Sequence, residues 1–181
     1  MKLTEQVKTL IEYEYNTFKD YMYANSPKET RDKLGQFFTP ASLTILLLEC
    51  YNTVSFTDKT MIDPTSGSGN LLSAAIIAGV SPDKIFGNEY DPVMVKACRE
   101  RIRTIPERLA SLDPAFAAEL SKKLESFKDW QIHRGDATDG FCLKYFGPDY
   151  KQKLEQHYLD SQYSLFPMLT KVQEEFLREV D

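Results

Sequence analysis

The sequence predicts an α/β fold, parallel strands with covering helices, and three observations carry that prediction. Short apolar runs alternate with longer stretches of helical periodicity, TMID, KIFGNEY and WQIHRGD being the strand-like runs. The first run leads through a glycine-rich turn into a helix, as in a strand–helix–strand unit. Each run also carries an acidic residue at or next to its end: Asp63, Glu89 and Asp136.

The elements follow in order. Leu3, Val7, Leu10, Ile11 and Phe18 recur at helical spacing, so residues 3–22 read as an amphipathic helix. Ser26 and Pro27 interrupt it, and 28–34 form a second short helix. GQFFTP is a loop, with Pro40 suited to the first position of a helix through ASLTILLLECY. TMID is a buried strand and GSGN a turn into the helix LLSAAIIAG. Ser81 and Pro82 break the chain before the strand KIFGNEY and the helix PVMVKACRERIRTI. Leu109, Leu112, Phe116, Leu120, Leu124 and Phe127 mark a helical insertion over 106–128, ahead of a third strand ending at Asp136. Beyond Asp139 no further strand is evident, and the tail from about residue 150 is helical in pattern. The chain thus divides into an N-terminal helical segment, 1–34, a core, 35–140, and a helical C-terminal tail, 141–181.

A length of 181 residues, 42% hydrophobic and 27% charged, suits one globular domain. No apolar run approaches the ~18 residues of a membrane span, and the N-terminus lacks the pattern of a signal peptide. Cys50, Cys98 and Cys142 are scattered and odd in number, which argues against a disulfide framework or a zinc site and for a reducing, cytoplasmic setting. His133 and His157 have no neighbours at metal-ligand spacing. With 27 Asp and Glu against 22 Lys and Arg, the net charge is −5. A nucleic-acid substrate would therefore need most of its phosphate contacts from another subunit. Arg99, Arg101, Arg103 and Arg108 are the one basic cluster, read as a solvated helix face. Cys98 falls on the apolar side of its helix, and Tyr13, Tyr15, Phe18, Tyr21 and Tyr23 form a packing surface able to dock a partner.

Three pieces carry the chemistry. In DPTSGSGN, Gly67 and Gly69 let the backbone approach a ligand, beside the unpaired N–H groups of a helix N-terminus. Asp63 can receive the ammonium of an amino-acid-like ligand; a plain strand-to-helix turn explains the same glycines equally well. In FGNEYDP, Glu89, or less directly Asp91, is placed to hold ribose hydroxyls and Tyr90 to stack on a base, while Asp91 and Pro92 also read as a helix cap. In HRGDAT, Asp136 is either an acceptor for an exocyclic amine, with Ala137 beside it, or a turn residue. Three strand-end carboxylates in this order describe a pocket for a nucleoside joined to an amino acid.

GQFFTP, then DPTSGSGNLL, then GNEYDP together resemble the N6-adenine-specific DNA methyltransferases, and most of all the modification subunit of type I restriction systems. The resemblance spans about 33–138 and implies a partial Rossmann-like fold binding S-adenosyl-L-methionine (SAM). By match to the family pattern, Phe38, Thr39 and Pro40 fold over the methionine end of SAM. Asp63, Thr65, Gly67 and Gly69 form the glycine-rich floor, Glu89 binds ribose, and Asp136 binds adenine.

One family element is missing. Members carry a fourth strand ending in Asn-Pro-Pro-Tyr, which holds the flipped adenine by its amine. No Asn-Pro-Pro occurs in these 181 residues. FGPDY offers Pro148, Asp149 and Tyr150 as the nearest echo, but its Gly-Pro pair reads more easily as a turn. The expectation is therefore an adenine methyltransferase completed by a second polypeptide that supplies the catalytic loop and most of the DNA contacts. The alternatives are a non-catalytic SAM-binding or mimic module and a methyltransferase acting on something other than DNA. A homodimer would be one way to cover the open sheet edge.

Overall fold

The computed structural model describes residues 3–25, 27–34, 36, 38–51, 56 and 59–137, all within one compact unit, Met1–Asp139. FGPDY, Cys142, His157 and the tail lie outside the described residues.

The order is helix α1 (Glu5–Asn25), α2 (Lys28–Leu34), α3 (Ala41–Tyr51), strand β1 (Met61–Asp63), α4 (Asn70–Ile77), β2 (Ile85–Glu89), α5 (Pro92–Arg103), α6 (Ile105–Leu109), α7 (Pro114–Leu124) and β3 (Ile132–Arg134). The three strands form one parallel sheet in the order β1-β2-β3, with Asp63 level with Gly87 and Glu89 level with Arg134. Right-handed crossovers put α4 and α5 on the same face of such a sheet.

Helix α4 sits at the centre. Leu72 through Ile77 are all buried, because the sheet covers one side of the helix and α1 and α3 cover the other. Leu10 and Ile11 of α1 and Leu48 of α3 join Leu72, Ile76, Ile85, Cys98 and Ile132 in a single core. The N-terminal helix is therefore part of the same hydrophobic unit as the sheet. The insertion over 106–128 resolves into α6 and α7, with Asp113 capping α7 by accepting the Phe116 N–H at 2.9 Å.

Two expectations change. The third strand is shorter than the sequence suggests, because Trp130 and Gln131 belong to a 3-10 turn, Asp129–Gln131. Gln131 is buried there, its Nε2 donating to the carbonyls of Pro82 (2.8 Å) and Ile85 (2.7 Å), so the chain is pinned before the ladder begins. Asp136 consequently stands two residues beyond β3 and is exposed. The arginine cluster is also not a uniformly solvated face, Arg103 being its one exposed member. Arg101 is 1% exposed and Arg99 donates to the Ile132 carbonyl at 2.6 Å. Arg103 pairs with Asp129 at 2.8 Å and Arg108 with Glu14 at 2.7 Å.

Candidate functional site

The site lies at the carboxyl ends of the strands, where open parallel sheets bind ligands. After Asp63 the chain turns sharply, and the turn depends on backbone geometry that favours glycine: Gly67 has φ +52° and Gly69 φ +80°. Gly69 has a second constraint, since a Cβ there would stand 2.6 Å from Cys98 Sγ. The loop can pass over α5 only because that position carries no side chain.

Carboxylates and amides of the three strand ends hold one another. Asp63 accepts the Thr65 N–H at 3.1 Å. Burial pushes the Asp63 carboxyl above its ordinary pKa; the Thr65 N–H opposes this and the nearby Glu89 charge adds to it. Glu89 spans two loops: Oε2 accepts the Gly67 N–H at 2.8 Å and Oε1 the Asp91 N–H at 2.9 Å. A carboxylate has about four acceptor positions, so Glu89 keeps capacity for two hydroxyls. Asp91 caps α5, accepting the Val93 N–H at 2.8 Å, and its other oxygen accepts from Gln36 Nε2 at 2.9 Å.

Asn88, 1% exposed, ties the strand ends together. Its Nδ2 donates to the Pro64 carbonyl after β1 at 3.2 Å and to the Gly135 carbonyl after β3 at 2.8 Å. The glycine loop is anchored to the same residue, Ser66 N–H and Oγ reaching the Asn88 carbonyl at 2.8 and 3.1 Å.

The segment before α3 closes the site from the other side. Phe38 packs against Phe18, Met22, Met94 and Ala97, and Tyr23 meets its ring edge-on with centroids 5.8 Å apart. Pro40 stands just before α3, its carbonyl accepting the Thr44 N–H at 3.0 Å. Asn70, the first residue of α4, donates from Nδ2 to the Thr39 carbonyl at 2.8 Å.

Between this segment and the glycine loop lies a cleft of ≈ 160 Å³. Of the residues predicted from sequence, Phe38, Thr39, Asp63, Thr65 and Gly67 line it, with Asn70 among the others. Pro40, Gly69 and Glu89 are outside its lining: Gly69 packs against Cys98, and Glu89 holds the amide of the lining residue Gly67. Tyr90 is 70% exposed, and Tyr90, Asp136 and Ala137 line no part of the cleft. The volume is below the ~300 Å³ at which pockets begin to enclose a whole drug-sized ligand.

Sequence reading missed Asn70, Asn88, Glu14 and Arg101. Glu14 and Arg101 form a buried ion pair, Arg101 Nε to Oε1 at 2.9 Å and Nη2 to Oε2 at 2.6 Å. Burial alone would raise the Glu14 carboxyl, but the charges and hydrogen bonds of Arg101 and Arg108 outweigh it and hold the group below its ordinary pKa. A signal was present. Glu14 interrupts the apolar stripe of α1 at Ile11, Glu14, Phe18, and Arg101 interrupts that of α5 at Met94, Cys98, Arg101, with opposite charge.

Among the described residues no helix is long and apolar enough to cross a membrane. Residues 13–102 match the family model described as N-6 DNA Methylase. That match runs from the turn of α1 carrying Glu14 to the turn of α5 carrying Arg101. Among curated proteins, the Type II methyltransferase M.VspI of Vibrio sp. (strain 343) is 29% identical over 85 residues, which are 46% of this chain and 21% of that protein. The matched segment thus spans about a fifth of that relative's length. No solved structure matches.

Proposed function

From a chain that belongs to the N-6 DNA methylase family by its match over residues 13–102, we propose a module that holds SAM for methylation of adenine in DNA. The observation carrying this reading is the single cleft shared by Phe38, Thr39, Asp63 and Gly67, with Glu89 one hydrogen bond away. Asp63 fits an ammonium: it is largely buried, its carboxyl is raised by burial, and a cation beside it would relieve that unfavourable state. Glu89 would accept the two ribose hydroxyls while keeping its amide contacts. Asp136 and Tyr90, exposed at the same end of the sheet, would meet the adenine ring. When bound, SAM supplies an electrophilic methyl group. The work of this chain is to bind the donor by its two ends and hold it at the sheet margin.

The Asn-Pro-Pro-Tyr element that orients adenine would come from outside these 181 residues, from a second polypeptide in the divided arrangement, and so would most of the DNA contacts, the net charge here being −5. A second copy of these 181 residues would bring no Asn-Pro-Pro of its own, which disfavours a homodimer of them as the complete site.

Calorimetric titration of the 181-residue chain with S-adenosylhomocysteine tests the pocket. Binding that Asp63→Ala and Glu89→Ala each weaken supports it, and no binding at millimolar ligand ends it. Tritiated-methyl transfer to adenine, assayed with and without proteins encoded nearby, separates the two functional readings. Transfer that requires an added polypeptide supports the divided enzyme. Tight cofactor binding with no transfer in any combination supports a non-catalytic module.

A further inference from the structure

We infer that Asn70 and Arg101 are positioning residues of the methyl-donor cleft: Arg101, held by Glu14, fixes the Asn70 amide so that it tethers the Thr39 carbonyl above the glycine loop. The inference rests on reading the cleft as the donor site and adds two residues that neither the sequence resemblance nor the strand-end carboxylates assign.

The chain of contacts is continuous. Glu14 takes the guanidinium of Arg101 in a bidentate grip, and Arg101 Nη1 donates to Asn70 Oδ1. Ser68 Oγ adds a second donor to the same oxygen at 3.2 Å. A guanidinium has no acceptor, so Oδ1 must face Arg101 and Nδ2 must face away. Nδ2 then meets the Thr39 carbonyl at 2.8 Å. The opposite amide orientation would set donor against donor at one end and acceptor against acceptor at the other. The buried ion pair therefore selects which atom of Asn70 reaches the segment carrying Phe38.

The tether acts where it affects binding. Phe38, Thr39, Ser68 and Asn70 all line the cleft, facing Asp63 and Gly67. Gln36 provides a second attachment through Asp91, so loss of the Asn70 contact loosens the segment without detaching it.

Asn70→Asp is the direct test. It keeps shape and the contact to Arg101 but replaces the donor to Thr39 with an acceptor. Affinity for S-adenosylhomocysteine is expected to fall about three- to tenfold, the worth of one hydrogen bond. Amide exchange at Phe38 and Thr39 is expected to quicken by a similar factor while exchange in α7 is unchanged, a pattern that general destabilisation would not give. Asn70→Ser, too short to reach Thr39 and adding no charge, must repeat both effects; it serves also if the aspartate variant folds poorly. Affinity within twofold of wild type, with unchanged exchange at Phe38 and Thr39, overturns the inference while leaving the donor site standing. If the wild-type chain binds no cofactor, the functional reading fails. The exchange arm still decides the tether, because it needs no ligand.

Discussion

Glu14→Gln removes one charge from the interior and almost nothing else. The carboxylate side chain is 2% exposed and that of Arg101 1%, so neither group can turn to water when its partner is lost. Glutamine preserves the volume but can satisfy the guanidinium with one oxygen instead of two, and its NH2 group faces Arg101 or Arg108, both pure donors. Removing one member of a buried pair costs about 3–5 kcal/mol. Against a total stability on the order of 5–15 kcal/mol that is a large share. At roughly 2–4 °C per kcal/mol for a chain of this size, the melting temperature should drop by about 6–20 °C. Thermal and urea denaturation of the two proteins measure it. The loss should depend on pH. The carboxyl lies below its ordinary pKa in the folded state, so its stabilisation is complete above the unfolded pKa and fades as pH falls toward the folded one. Wild type and variant should therefore converge in acid. The double variant Glu14→Leu/Arg101→Met removes the fully buried pair but leaves Arg108, 14% exposed, without its carboxylate, so it should recover only part of the loss. A Glu14→Gln difference below ~1 kcal/mol at neutral pH would refute the reasoning, since it would mean that Arg101 is not desolvated.

Gly69→Ala meets two obstacles, a left-handed backbone and the Cys98 sulfur 2.6 Å from the new carbon. Together these should cost roughly 2–5 kcal/mol in denaturant titration, and Cys98→Ala should return the steric part only. Asn88→Ala removes the one amide donor shared by the Pro64 and Gly135 carbonyls, which are only partly shielded, and should cost about 1–2 kcal/mol; a loss under ~0.3 would show that water replaces the amide. Asp63→Asn should weaken S-adenosylhomocysteine about 10- to 100-fold at neutral pH. Because burial raises the Asp63 carboxyl, wild-type affinity should begin to fall at a higher pH than an ordinary aspartate would give, whereas the variant should be flat over that range.

How much of this was legible in the sequence depended on range. The first two strands, their helices and the Asp91 cap follow from patterns a few residues long, and the structure reproduces them. The strand-end carboxylates Asp63 and Glu89 were legible for the same reason. WQIHRGD was misjudged because alternation cannot reveal that Gln131 spends its side chain on carbonyls 46 and 49 residues away. The arginines misled likewise. Four basic residues in ten read as surface unless the partner is known, and the partner of Arg101 lies 87 residues upstream in α1. Asn88 and Asn70 sit in plain view inside KIFGNEY and GSGN, yet their roles arise only when three chain segments meet.

The pairing of Glu14 with Arg101 also sets a schedule for biosynthesis. The acid leaves the ribosome 87 residues before its base, which at about 5–20 residues per second is a wait of roughly 4–17 s. Throughout that interval Glu14 is a carboxylate that nothing yet neutralises, and burying it without that cost must await completion of α5. A chain interrupted before Arg101 could still lay Leu10 and Ile11 against α3 and α4, but only by burying an acid without its base, the kind of unfinished core that chaperones and proteases attend to first.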